Sequence, residues 1–105
     1  MYVIAFFASG FVGGGNKAPV ADAGSDDSTN NNTLISLDGS ASSDPDGDTL
    51  TFSWTQLSGP AGTFDDTNTD TPDYTPSDTG TAVFELTVSD PKGKFDTDTV
   101  TITVT

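Results

Sequence analysis

Residues 82–105 read AVFELTVSDPKGKFDTDTVTITVT, and their alternation decides the fold. Between Thr97 and Thr105, the run DTVTITVT puts Val100, Ile102 and Val104 on one side of an extended chain and only threonines on the other. In AVFELTVS, Phe84, Leu86 and Val88 share one side while Val83, Glu85 and Thr87 share the other. Successive side chains of a strand point to opposite faces, so a period of two marks a strand half buried against a core. The turn-forming string Asp90-Pro91-Lys92-Gly93 separates the two runs.

The same period extends outward along the chain. LTFSWTQ aims Leu50, Phe52 and Trp54 inward, and TLISLDG does so with Ile35 and Leu37. Weaker strands are expected at Val20 to Ala23, near Thr63-Phe64 and near Asp73 to Thr75. Between them lie Asp38-Gly39-Ser40, the DPDGD loop, Ser58-Gly59-Pro60 and Thr79-Gly80, all clusters of turn residues. Beyond the first fifteen residues no stretch has helical spacing and none repeats another. Short strands with one apolar face and regular turns predict a single all-β module, an antiparallel β-sandwich. Trp54, at an inward position, is expected in its core rather than at the surface as a sugar platform.

Bulk composition narrows the chemistry. A chain of 105 residues makes about one domain and buries roughly two-thirds of its unfolded surface. It has no cysteine and no histidine, which removes thiolate chemistry and the commonest general base. Sixteen Asp and Glu stand against Lys17, Lys92 and Lys94, a net charge of −13. Such a surface repels phosphate backbones and anionic lipid, so nucleic acid is a poor partner, and it suits cations. No Ser, Thr or carboxylate has a base beside it in the sequence, and scattered acids make chance carboxylate pairs inevitable. No enzymatic activity is expected.

The strings APVADAG, ISLDGSASSDPDGDTLTFSWTQLSGP and FELTVSDPKGKFDTDTVTITV, taken in order, resemble the polycystic-kidney-disease (PKD) domain family over residues 16–105. The resemblance implies an immunoglobulin-like sandwich of the kind common in microbial surface proteins and secreted enzymes. It also implies a spacer, adhesion or assembly role at an extracellular or cell-surface location. Many PKD domains follow the strand tryptophan with Asp-Phe-Gly-Asp-Gly. Here Trp54 is followed by TQLSGP, which matches a subgroup with a WxQxxGP turn.

Asp44-Pro45-Asp46-Gly47-Asp48 places three carboxylates at alternate positions of a turn. Calcium takes several oxygens at about 2.3–2.6 Å, and a turn of this kind can converge them. The glycine follows the second acid, and Thr55 stands where an EF-hand would carry its glutamate, so this is not an EF-hand loop. Calcium-binding PKD domains draw ligands from the residue before the first strand, from the acidic loop and from the Asp ending the penultimate strand. The resemblance therefore implies Asn16, Asp44, Asp46 and Asp90 as calcium ligands at one end of the sandwich. The plainer alternative is that these aspartates close Asx-turns on backbone amides.

The chain opens MYVIAFFASGFVGGG, with ten of its first twelve residues apolar. As a secretory signal it has no Lys or Arg in front, and as a lipoprotein leader it has no cysteine. Twelve helical residues reach only about 18 Å against roughly 30 Å of hydrocarbon, so no membrane span is expected. Tyr2, Val3, Ile4, Phe6, Phe7, Phe11 and Val12 favour a strand that is apolar on both faces, the pattern of one buried on both sides. A helix packed in a central bundle is not separated from it by periodicity. The expected organisation is an assembly segment at 1–12, a glycine hinge at 13–15 and a PKD-like body at 16–105.

The leading expectation is thus an extracellular, pilus-like filament of identical copies joined by the N-terminal strand. The alternative is a non-catalytic spacer or adhesion module of a larger surface or secreted protein, with surface glycans as candidate ligands.

Overall fold

A computed structural model describes residues 15–105, and the assembly segment expected at 1–12 and most of the glycine hinge lie outside them. The described residues form an all-β, immunoglobulin-like sandwich of two sheets. In chain order the strands are β1 (Asp27–Thr29), β2 (Ile35–Ser36), β3 (Thr51–Ser58), β4 (Gly62–Phe64), β5 (Asp73–Pro76), β6 (Gly80–Ser89) and β7 (Phe95–Val104). One sheet has the order β1-β7-β6-β3 and the other β2-β5-β4. Only the β1–β7 pair is parallel. Among the described residues no helix is long and apolar enough to cross a membrane.

The two runs that opened the sequence reading are β6 and β7. They pair without a break from Gly80 opposite Val104 to Ser89 opposite Phe95. Their inward residues Phe84, Leu86, Val88, Val100, Ile102 and Val104 are all buried, as the alternation requires. β3 covers the other edge of β6, and Trp54 arrives 2 % exposed with its indole N–H donating to the Thr69 carbonyl at 2.9 Å. That hydrogen bond lets an amphipathic ring be buried without leaving an orphaned donor. From the second sheet Phe64 and Tyr74 close on Phe84, with ring centroids 4.7 to 5.3 Å apart in tilted and edge-to-face arrangements. Tyr74 keeps its hydroxyl bonded to the Pro60 carbonyl at 3.2 Å, while burial pushes its pKa up.

The turn after β3 is held from inside the strand. Pairing slips between Gln56 and Ser58, and the Gln56 side-chain amide donates to the Ser58 and Pro60 carbonyls at 3.0 and 2.8 Å. Gly59 sits at φ +105 against the Thr81 carbonyl, a conformation and an approach that only glycine allows. Gly62 faces the Tyr74 ring so closely that a Cβ would run into it.

Two expectations need correction. The weak strand at Val20 to Ala23 is reduced to one bridge, Val20 to Ser43. The reason lies on β7, whose inward positions 96 and 98 carry aspartates instead of apolar residues. The Ala21 amide donates to Asp96 Oδ2 at 2.9 Å and the Ala23 amide to Asp98 Oδ2 at 2.8 Å. In return Asp26 accepts from the Thr101 amide at 2.9 Å. The first segment is thus attached to β7 through carboxylates, and regular pairing begins only at β1, which the sequence reading did not foresee. Leu50 lies just before β3 and is only partly buried, so it does not join the core.

Two substitutions test this account. Asp98→Val lengthens the apolar stripe of β7 but strands the Ala23 amide. A loss of about 1–3 kcal/mol in urea unfolding is expected, and a gain would mean that the stripe outweighs the bond. Gly62→Ala should cost about 1–3 kcal/mol by forcing the Tyr74 ring aside.

Candidate metal centre

Three segments meet at the β6–β7 end of the sandwich: residues 16–17, the acidic loop 44–48, and the turn 90–94 itself. Asp90 organises the last of these. Its Oδ1 accepts the amides of Lys92 at 2.9 Å and Lys94 at 3.0 Å, and its own amide donates to the Lys94 carbonyl at 2.9 Å. Its Oδ2 accepts from Asn16 Nδ2 at 2.7 Å, which brings the start of the body to this end of the sandwich. Lys94 Nζ completes the clasp on the Asn16 carbonyl at 2.7 Å.

The acidic loop is an Asx-turn, as the plainer reading supposed. Asp44 Oδ1 accepts from the Asp46 amide at 2.8 Å and more distantly from Asp48 at 3.5 Å, while the Gly47 amide returns to the Asp44 carbonyl at 3.0 Å. Gly47 takes φ +73 to close it. Asp46 Oδ2 accepts the Lys17 amide at 2.7 Å, tying this loop to the same N-terminal segment. One carboxylate oxygen each from Asp44, Asp46 and Asp48 lie within 4.8 Å of one another.

The turn bonds do not use every oxygen. Asn16 Oδ1, Asp44 Oδ2 and Asp48 Oδ2 are buried with no hydrogen-bond partner. Lys92 Nζ stands 3.5 Å from Asp48 Oδ2, near enough to offset its charge but too far for a good hydrogen bond. Oxygens shielded from water and left without donors fit a hard cation, which binds oxygen ligands in flexible geometry. Of the four ligands that the resemblance implied, Asn16 and Asp44 offer such free oxygens. Asp46 and Asp90 are engaged with backbone or amide donors. Asp48 offers a further oxygen and was not among the four. Its place in the D-x-D-x-D spacing was the available signal. A bound divalent ion would supply a cross-link between the 16–17 segment and the acidic loop.

Hydrogen bonding at this end of the sandwich favours the ionised form of Asp90. The Asn16 amide holds Asp90 below the usual carboxylate range against the opposing effect of desolvation, helped by the Lys94 and Lys92 amides and by the Lys92 charge. At the surface, the Ser40 hydroxyl and amide hold Asp38 low in the same way. Ser40 Oγ donates to Asp38 at 2.5 Å, and a carboxylate so stabilised is a poorer base for activating that hydroxyl.

A family model described as "K319L-like, PKD domain" matches residues 23–104. Asp44, Asp46, Asp48 and Asp90 fall inside the match and Asn16 falls outside it. The solution structure of the PKD domain from KIAA 1837 protein is similar, with 29% identity and a TM-score of 0.71, covering 88% of this chain and 91% of that one. A nucleoside hydrolase-related hypothetical protein from Saccharophagus degradans, associated with carbohydrate metabolism, shares the fold at 24% identity and a TM-score of 0.73. That match covers 86% of this chain but only 26% of the other, so the chain spans about a quarter of its length. A comparison with curated proteins finds no match.

Because Asp90 titrates low when folded, its contribution to stability is full above the ordinary carboxylate value of about 4. It is lost as pH falls from there through the lower folded value. The urea midpoint should therefore hold steady down to about pH 4 and then drop. Asp90→Asn should be less stable at pH 6 and show a shallower acid fall; an unchanged acid limb would remove Asp90 from the account.

Proposed function

The chain belongs to the K319L-like PKD domain family, and on that premise we propose that it is a non-catalytic structural module serving as the repeating subunit of an extracellular fibre. PKD domains are typically non-catalytic and typically occur in extracellular or cell-surface proteins, which is as far as membership alone reaches.

The observation that carries the finer reading is where the core lies. Among the described residues the buried core runs from Ala23 to Val104, with Ala21, Ile35, Phe52 and Phe64 packed against it. On this reading the apolar side chains of residues 1–12 serve a neighbouring copy and not the body. Burying the seven large ones is worth roughly 10–20 kcal/mol gross at about 1.5–3 each, before ordering costs. Offered to a neighbouring copy across the glycines at 13–15, they would give a heterologous contact, and heterologous contacts that do not close into rings propagate as filaments.

Within the family, the turn of TQLSGP supports placement in the WxQxxGP subgroup. Gln56 there has a mechanical task, bracing the Ser58 and Pro60 carbonyls. Calcium joins the proposal as the ion held by Asn16, Asp44 and Asp48, whose buried side-chain oxygens have no donor. Bound there, it would stiffen the end of the body where Asn16 meets the β6–β7 turn.

A second reading rests on a separate observation. The same fold occurs as about a quarter of a longer chain in the Saccharophagus degradans protein. The domain would then be a spacer or adhesion module of a larger surface or secreted protein, with surface glycans as candidate ligands.

Electron microscopy of the full chain beside a version beginning at Asn16 separates the two. Filaments from the first alone are expected; if neither assembles, the spacer reading takes over. For calcium, the thermal midpoint of the full chain should rise on adding the ion and fall back with chelator. Asp44→Ala should abolish that rise, and a rise that survives it would place any binding elsewhere.

A further inference from the structure

The outer face of the β1-β7-β6-β3 sheet is nearly free of charge in a strongly acidic protein. Ser53, Thr87 and Thr97 stand in one row across β3, β6 and β7, and the remaining outward positions follow the same register. On these three strands they are all serine or threonine except Leu57, Val83, Glu85 and Phe95. Glu85 is thus the one carboxylate on the outer face of β3, β6 and β7, with Asp26 beside β1 at its border on the Thr101 amide, although the chain carries sixteen acids. Phe95 lies at one corner, 62% exposed. Threonine suits exposed strands everywhere, which accounts for the hydroxyls. It does not account for the acids being elsewhere, since a solvated sheet face ordinarily carries charge.

We infer that this face is a self-association surface on which a second copy of the chain packs. Two bodies that both carry a large negative charge repel on most approaches. They meet at least cost where each presents a face of mostly neutral groups. The four strands, of 3, 10, 10 and 8 residues, at about 3.3 Å per residue and about 4.8 Å apart, make a face of about 500 Å². Pairing two such faces removes about 1,000 Å² from water, the lower limit for a specific and transient interface. Threonine methyls, Val83 and Phe95 supply apolar contact, and the hydroxyls can bond across the seam or through water. The surface goes beyond the fibre reading, because it needs nothing from residues 1–12.

The test is sedimentation of the full chain and of residues 16–105, up to millimolar protein, in about 0.1 M and about 1 M salt. The 16–105 form should dimerise, and more strongly at high salt, because screening weakens the repulsion between two acidic bodies. That direction is opposite to an interface built on ion pairs. Thr97→Glu should weaken the dimer at least about tenfold by setting charge into the seam. Phe95→Ser should weaken it as well. Thr63→Glu, an exposed β4 position on the other sheet, adds the same charge and should leave dimerisation unchanged. Unfolding curves of each variant separate a lost interface from a lost fold. Monomers at every concentration and salt would overturn the inference. So would equal weakening by Thr63→Glu, association of the full chain alone, or a monomer retained on a neutral glycan.

Discussion

The structure depends on aspartate carboxylates accepting backbone amides that have no strand partner. A buried or half-buried N–H without an acceptor costs as much as a lost hydrogen bond, and most such groups in proteins are paired by ladders. This sandwich has only two ten-residue strands and one of eight, so much of its backbone runs outside ladders. Asp96 and Asp98 take the amides of Ala21 and Ala23, Asp26 takes that of Thr101, and Asp90 takes those of Lys92 and Lys94. Asp22, Asp38, Asp44, Asp65, Asp66 and Asp78 do the same within their own turns. The acidity that suggested cations as partners is thus in large part architectural. The carboxylate oxygens left over after this use are the ones to examine for a ligand.

The longest strands were the most legible. β3, β6 and β7 announce themselves because one face is apolar and the other hydroxylic over many residues, and Trp54 went where its phase put it. The shortest elements were not legible for an identifiable reason. β1 has three residues, too few to show a period, and its position is decided by pairing with β7 far away in sequence. Asp96 and Asp98 defeat pattern reading more thoroughly. They occupy inward phases of an apolar strand, where the pattern predicts hydrophobic residues, and only the approach of residues 21–23 explains them. Gln56 is a similar case, since its function appears only once the turn of Ser58 to Pro60 folds back over it.

At the candidate metal centre, D-x-D-x-D shows in the sequence as a cluster, but the state of each oxygen does not. Whether a carboxylate is spent or free depends on which amides arrive from other segments. Asp46 is engaged by Lys17 and Asp90 by Asn16, both distant in sequence, and no local pattern distinguishes them from Asp44 or Asp48. The family resemblance added Asn16 and Asp90, from other segments, to the ligands expected there. The tertiary hydrogen bonds divide its members into those that build the turns and those with capacity to spare.

The parallel pairing of β1 with the end of β7 bears on how the body would carry tension. Asn16 sits by the β6–β7 turn, while Thr105 lies beyond the far end of β7, bonded through its amide to the Thr29 carbonyl. Force applied between these ends runs along β7 and pulls β1 the opposite way. The contacts from Asp27 opposite Ile102 to Thr29 opposite Val104 would then be loaded together in shear, not peeled one at a time. The Asp96, Asp98 and Asp26 carboxylates lie along the same line of force. A small domain with this arrangement yields only when several hydrogen bonds break at once, a mechanical property that its modest core would not by itself suggest.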